Sequence, residues 1–251
     1  MTALAPDAVL AIFVLFCRIG SCLMLMPGFS SPRVPVRVRL FLAISITLAL
    51  ASLLLDKVNE QTIHSSPFMV LQLAGSEIVI GVLIGLMGRA FFAALETLTN
   101  VIAMTIGIAN PLGVSIEEAE PLPAIASLIT MAATTLLFLT DLHWEVLRGL
   151  VASYTALPVS NGVDVQFNLV QLSASLSKSF FLSLRIASPF IVFSVIVNFA
   201  IGILGKLTPQ IHGYFILTPA VLLGGLFLLY LTSKQFLELF ILGFKGWLIN
   251  G

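Results

Sequence analysis

Three charged side chains, Arg18, Glu77 and Glu96, interrupt segments that are otherwise apolar. A charge that faces lipid at the centre of a bilayer costs about 2.5 to 3.5 kcal/mol on insertion scales, so such side chains are paired, hydrated or covered by other subunits. Arg18 and Glu77 carry opposite charges, and a structural ion pair between them is one interpretation. A proton or ion relay and a contact with a partner subunit are the alternatives, and the residues alone leave all three open.

The residue types that usually carry catalysis are sparse. His64, His143 and His212 fall in different loops, without a second metal ligand at a useful spacing. Asp141, His143 and Glu145 are close together beside an apolar segment, where capping at a membrane interface is favoured over acid and base chemistry. The sequence contains no HExxH motif, no GxSxG motif and no phosphate-binding glycine loop. We therefore expect a chain that is not an enzyme and that binds no metal and no cofactor.

The composition is that of an integral membrane protein. Of the 251 residues, 59% are hydrophobic and 10% are charged, and the mean hydropathy is +1.10. A helix needs roughly 20 apolar residues to cross a hydrocarbon core of about 30 Å, and segments of that kind recur along the chain. The net charge of zero argues against nucleic acid as a partner. These features predict an all-α, polytopic helical membrane protein.

Prolines, glycines and charges divide the apolar sequence into predicted segments. Apolar spans are expected at 8–26, 40–55, 68–88, 124–140, 186–204 and 215–232, with a more polar segment at 89–109 that favours protein neighbours over lipid. Amphipathic helices are expected at 142–157 and 166–185, and a last amphipathic stretch ends at Gly251. The helix at 142–157 is expected to lie at an interface, with an apolar face of Leu147, Leu150, Val151 and Tyr154. Arg33, Arg37 and Arg39 lie in the first loop and place it in the cytoplasm by the positive-inside rule. If every segment crosses the bilayer, the acidic loop at 110–123 then lies outside.

Three glycines of the third span, Gly81, Gly85 and Gly88, form a GxxxG pattern with a further small position one turn later. Glycines at this spacing let the backbone of a second helix approach closely. The pattern predicts tight helix packing and no particular activity.

Four longer segments occur in a characteristic order: CRIGSCLMLMPGFSSPRVPVRVRLFLA, SEIVIGVLIGLMGRAF, FLTDLHWEVLRGLVASYTALPV and LGKLTPQIHGYFILTPAVLLGGL. In order and spacing they resemble the FliR family of flagellar biosynthesis proteins, whose injectisome counterpart is called SctT. The resemblance covers nearly the whole chain.

The resemblance implies a subunit of the flagellar type III protein export gate, in the bacterial inner membrane and the flagellar basal body. Its expected partners are FliP-like and FliQ-like membrane subunits, FlhB-like and FlhA-like export components, and unfolded flagellar substrates. Within a single domain over 1–251, the resemblance implies a FliP-like part at 1–160 and a FliQ-like part at 161–251. One alternative is the SctT-like injectisome subunit. Another is an ion-coupled small transporter, although the matching half-chains typical of such transporters are not evident in the sequence.

The resemblance also implies a plug-like loop that closes the pore, at 107–122. Irregular backbone near membrane depth is tolerated where it is buried or lines a water-filled cavity, so the composition of this segment fits a plug. An ordinary periplasmic loop is the alternative. The residues singled out in the loop are Gly107, Asn110, Pro111, Gly113, Glu117, Glu118, Glu120 and Pro121.

A C-terminal hairpin contact is expected at Pro209, Gln210 and His212. Three features depart from the family pattern. The family usually has a Gly-rich stretch where this chain has 100–109, an Asp before the Pro where it has Asn110, and an Asn where it has His212. These departures affect the expected details of gating and of the hairpin contact.

Overall fold

Seven α-helices make up the secondary structure of the described residues. The computed structural model describes residues 6–31, 34–62, 67–106, 124–158, 165–207 and 213–250. The helices are α1 (Pro6–Leu25), α2 (Val36–Thr62), α3 (Pro67–Ile106), α4 (Ala124–Leu139), α5 (Leu142–Ala156), α6 (Val165–Leu207) and α7 (Gly213–Asn250). Five of them are long and apolar enough to cross a membrane, and α4 with α5 gives up to six if that broken pair forms one span. The prediction of an all-α, polytopic membrane protein is confirmed.

Four helices are longer than predicted, and the first of them is α2, which covers 36–62 where a span at 40–55 was expected. The sequence indicated a break after Gly88, but α3 continues through it to Ile106. This prediction was wrong because one glycine inside a helix costs only about 1 kcal/mol relative to alanine, and the arginine that follows is a good helix former. In the same way α6 unites two predicted segments, and α7 continues past the predicted end of its span at 232.

The length of α3 changes the predicted topology. A helix of 40 residues extends about 60 Å, roughly twice the thickness of the hydrocarbon core. The predicted orientation of the loops assumed that 68–88 and 89–109 cross the bilayer separately. Because α3 contains most of both segments, the alternation of sides beyond residue 88 no longer follows.

Pro189 lies inside α6 without ending it. Proline has no N–H, so the carbonyl oxygen of Arg185, four residues earlier, loses its usual helical donor. The hydroxyl of Ser188 donates to that oxygen at 2.8 Å. This side-chain hydrogen bond replaces the missing one and supports an uninterrupted helix.

The chain divides into two compact units, each assembled from separate stretches of sequence. The first comprises Met1–Phe91, Leu137–Ser177 and Phe244–Gly251, and the second comprises Phe92–Leu136 and Lys178–Gly243. The predicted division between 160 and 161 falls in 159–164, outside the described residues. It stays a prediction.

Aromatic side chains close the core of the first unit. The ring of Phe91 lies 5.8 Å from that of Phe244 and 5.3 Å from that of Trp247, between centroids. Trp247 Nε1 donates to the buried Ser175 hydroxyl at 3.2 Å. The last turns of α7 are thereby fixed against α3 and the start of α6.

The second unit combines a small buried core with a large apolar surface. The ring of Phe92 packs edge-on against that of Phe240, with centroids 5.2 Å apart. Phe199, Phe227 and Tyr230, by contrast, are 70%, 63% and 77% exposed. An apolar surface of this kind favours lipid or protein neighbours over water.

Candidate functional site

The centre of the first unit holds a buried ion pair between α1 and α3. The Arg18 Nε atom lies 2.6 Å from Glu77 Oε2, and Arg18 Nη2 lies 2.6 Å from Glu77 Oε1. Both side chains are fully buried. This bidentate arrangement is the strongest geometry that a guanidinium and a carboxylate adopt. The two charges are therefore paired within one chain.

The same guanidinium also binds the C-terminal end of α5. Arg18 Nη1 donates to the Ser153 hydroxyl at 3.2 Å, and Nη2 donates to the carbonyl oxygen of Leu157 at 2.9 Å. The last carbonyl groups of a helix lack helical donors, and the helix dipole places partial negative charge there. The buried Arg18 guanidinium supplies hydrogen-bond donors to this end of α5 and a positive charge opposite the partial negative charge.

An aromatic ring completes the surroundings of Arg18. The guanidinium carbon lies 4.1 Å from the centroid of the Tyr154 ring, which is a cation–π contact. The Tyr154 hydroxyl donates to the carbonyl oxygen of Leu15 at 3.5 Å, which ties α5 to α1 a second time. With four hydrogen bonds from its guanidinium, Arg18 joins α1, α3 and α5 at one point.

The glycine face of α3 lies against α1 beside this pair. A Cβ atom at Gly81 would overlap the carbonyl oxygen of Arg18 and the Ser21 hydroxyl. A Cβ at Gly85 would lie 2.8 Å from the carbonyl oxygen of Cys22. A Cβ at Gly88 would overlap the side chain of Met26, the residue that follows α1. The contacts advance together on both helices, so α1 and α3 run parallel here, and their close approach brings Glu77 to Arg18.

The turn after α1 packs on the last turn of α4, just before α5 begins. Gly28 has a φ of 88°, and a Cβ there would lie 3.0 Å from the Phe138 ring. The Phe138 ring also contacts Phe29, at 5.7 Å between centroids, and His143, at 5.6 Å. These contacts place the N-terminal end of α5, so both ends of this helix are fixed against α1 or the turn that follows it.

Asp141, His143 and Glu145, near the start of α5, are each placed by local contacts. Asp141 occupies the N-cap position with a φ of 57°, and its side chain makes no cap hydrogen bond. The His143 ring contacts the rings of Phe138 and Trp144, each at 5.6 Å between centroids. Glu145 pairs with Arg148 at 3.0 Å on the helix surface. Within the described part of the chain, no three His, Cys, Asp or Glu side chains are grouped so that they could hold a metal ion.

The remaining predicted residues lie elsewhere. Glu96 is partly buried on α3 in the second unit, one turn before Asn100, whose buried Oδ1 atom has no hydrogen-bond partner. The predicted plug residues at 107–122 fall outside the described residues. So do the hairpin residues Pro209, Gln210 and His212.

Sequence reasoning missed the contribution of α5 to the site. The apolar spacing had suggested a face of Leu147, Leu150, Val151 and Tyr154 lying at an interface. The buried residues of α5 are instead Leu142, Val146, Leu150 and Tyr154, at strict intervals of four. The signal for Tyr154 was present in that spacing, but a partner that is a main-chain carbonyl, such as Leu157 O, leaves no mark in the residue types.

Comparison with known proteins covers nearly the whole chain. Residues 9–246 match the family model described as bacterial export proteins, family 1. The flagellar biosynthetic protein FliR of Caulobacter vibrioides is 32% identical over 224 residues, 87% of this chain and 86% of that protein. FliR of Escherichia coli is 30% identical over 204 residues, 81% of this chain and 76% of that protein. FliR of Aquifex aeolicus is 26% identical over 235 residues, 91% of this chain and 87% of that protein. The chain belongs to family 1 of the bacterial export proteins.

Proposed function

We propose that this chain is a membrane subunit of the flagellar type III protein export apparatus in the bacterial inner membrane, needed for flagellum assembly. The observation that carries the proposal is the family match over 9–246, which includes most of both compact units. Relatives that carry the flagellar name align over most of their own length as well. The five long apolar helices fit a multi-pass position in that membrane.

The Arg18 cluster, which consists of Arg18, Glu77, Ser153, Tyr154 and the carbonyl group of Leu157, supports a structural role in this apparatus. Both carboxylate oxygens of Glu77 accept from Arg18, and both side chains are fully buried. A proton relay requires a carboxyl that exchanges protons with water, whereas this one is enclosed and paired. The geometry therefore favours a fixed framework that holds α1, α3 and α5, and the proposal assigns no enzymatic step to the chain.

The proposal extends to partners and to the pore. Contacts are expected with FliP-like, FliQ-like, FlhB-like and FlhA-like components, with unfolded flagellar proteins as the transported substrates. The exposed aromatic side chains of the second unit offer apolar area for such contacts. The plug at 107–122, the hairpin contact at 209–212 and the division into 1–160 and 161–251 remain predictions from the resemblance.

Glu96 is the membrane-depth charge for which a subunit contact is proposed. Glu96→Gln removes a carboxylate that is only partly buried in this chain. A hydrogen bond to a charged group is worth about 1.5 to 3 kcal/mol, so its loss is expected to lower recovery of the bound partner about tenfold or more. The measurement is affinity purification of the tagged chain from membranes in mild detergent, with the FliP-like and FliQ-like subunits quantified by mass spectrometry.

The matched control is Glu238→Gln, which alters an exposed carboxylate on α7 that lies 3.9 Å from Lys234. It is expected to leave recovery unchanged, since exposed pairs contribute little. Equal recovery with Glu96→Gln and the wild type would reject the assembly role of Glu96. Purification of the wild-type chain without either subunit would reject the proposed function itself.

A further inference from the structure

An apolar cavity opens beside the Arg18 cluster, within the first unit. Its volume is ≈ 290 Å³, and its walls come from α3, α5, α6, α7 and Met26, the residue after α1. The wall residues Met26 and Leu150 are each 1% exposed, whereas Ile249 is 60% exposed. The cavity therefore runs from the core to the surface of the unit.

Apart from Gln171, the polar side chains of the wall and the carbonyl group of Leu157 already form hydrogen bonds within the protein. The Ser153 hydroxyl donates to the carbonyl oxygen of Leu150 at 2.7 Å and accepts from Arg18. The carbonyl oxygen of Leu157 accepts from Arg18, and Trp247 Nε1 donates to Ser175. A bound water typically needs two to four polar partners, and this wall does not supply them. The surface that an occupant meets is thus almost entirely hydrocarbon.

One polar side chain of the wall stands apart from those bonds. Gln171, on α6, is partly exposed and lines the cavity. A primary amide near an otherwise apolar trough suits a ligand that has a long hydrocarbon part and a polar end with ester carbonyls.

Small residues on α5 create the space. Gly149, Ala152 and Ala156 line the cavity at intervals of three and four, so they share one face of the helix. A Cβ atom at Gly149 would meet nothing within 4 Å. Among the described residues, nothing therefore packs against α5 at Gly149.

We propose that the cavity binds one acyl chain of a membrane phospholipid. An apolar cavity of about 150 Å³ holds a six-carbon ring such as benzene, so about twice that volume suits a chain of roughly ten to twelve carbons. Three of the helices that form the walls, α3, α6 and α7, are long and apolar enough to cross a membrane, and acyl chains are the mobile apolar molecules that surround such helices. A packed partner helix needs a long groove that buries about 800 Å² on each side. A compact cavity with one polar group fits a lipid tail better.

The test uses photolabelling in the native membrane. Vesicles from cells that produce the tagged full-length chain are supplemented with a phosphatidylethanolamine that carries a diazirine in the middle of one acyl chain. After illumination, adducts on the purified chain are mapped by mass spectrometry.

Adducts are expected on the peptides that contain Gly149 and Trp247. Gly149→Leu fills the cavity and should reduce them about tenfold, because overpacked sites reject added volume. Adducts on the exposed Phe227 segment should not change.

Two further variants keep the result interpretable. Gly75→Leu adds the same side chain at an exposed position of α3 where a Cβ also meets nothing, and it should leave cavity labelling unchanged. Ala152→Leu fills the cavity from an exposed position of α5 and should act like Gly149→Leu if that variant folds poorly. Cavity labelling that persists in both filling variants would overturn the proposal. The proposal would also be overturned if the wild-type chain carried no adducts at the cavity and the Gly149→Leu variant lost a co-purified subunit. In that case the cavity would hold a side chain of the partner.

Discussion

Glu77→Gln is expected to destabilise the chain by about 3 to 5 kcal/mol, the usual cost of removing one partner from a buried ion pair. Glutamine keeps the shape of the side chain but leaves the fully buried Arg18 guanidinium without a counter-charge. The measurement is thermal unfolding of the purified chain in detergent, followed by tryptophan fluorescence. For a chain of this size the expected decrease in melting temperature is on the order of 10 °C.

The control for this variant is Glu145→Gln, which breaks the pair between Glu145 and Arg148 on the surface of α5. Exposed pairs contribute about 0 to 1 kcal/mol, so this change should shift the melting temperature little. If Glu77→Gln and Glu145→Gln lower the melting temperature by the same small amount, the Arg18 cluster does not stabilise the first unit. Combining Arg18→Met with Glu77→Met should cost less than the sum of the single changes, because no buried charge is then left unpaired. The carbonyl oxygen of Leu157 still loses its donor, so the wild-type stability should not be regained.

Gly81→Ala is expected to destabilise the same unit by about 1 to 3 kcal/mol through overpacking. Its Cβ would overlap a main-chain oxygen of α1 and the Ser21 hydroxyl. Because main-chain atoms cannot rotate away, the helices must separate, and the separation strains the Arg18 to Glu77 contact one turn away. The same thermal unfolding experiment measures the loss, together with the amount of chain found in the membrane fraction.

The matched substitution is Gly75→Ala on the same helix. Nothing lies within 4 Å of a Cβ at that position, and alanine in a helix is favoured over glycine by about 0.5 to 1 kcal/mol. The two identical substitutions should therefore have opposite signs. A stabilising Gly81→Ala would show that α1 and α3 are not in close contact at this position.

The membrane class and the helical fold were predictable because they depend on composition and on segment length alone. The helix boundaries were less predictable, since a break after Gly88 was inferred only from that glycine and the charge of Arg89. Gly88 packs against the side chain of Met26, and Arg89 is exposed. Neither residue therefore opposes a continuous helix. Local preferences rank helix formers but do not reveal which side chains a tertiary contact accommodates.

The candidate site was predictable only in part, for a related reason. The cost of a charge in hydrocarbon indicated that Arg18 and Glu77 need partners, and their opposite signs made a pair one of three interpretations. The third element, α5, binds through the Leu157 carbonyl and the Ser153 hydroxyl, and main-chain acceptors are the same for every residue type. The cavity beside it depends on several helices at once and has no local signal beyond the small residues of α5.

Protein secretion by a strain with an in-frame deletion of this chain's gene tests the central claim most directly. Hook and filament proteins are quantified in the culture supernatant and in the cells, with and without a plasmid that supplies the wild-type chain. A subunit of the flagellar export apparatus predicts that both proteins disappear from the supernatant, remain detectable in the cells and return to the supernatant on complementation. Normal secretion and swimming in the deletion strain would contradict the account.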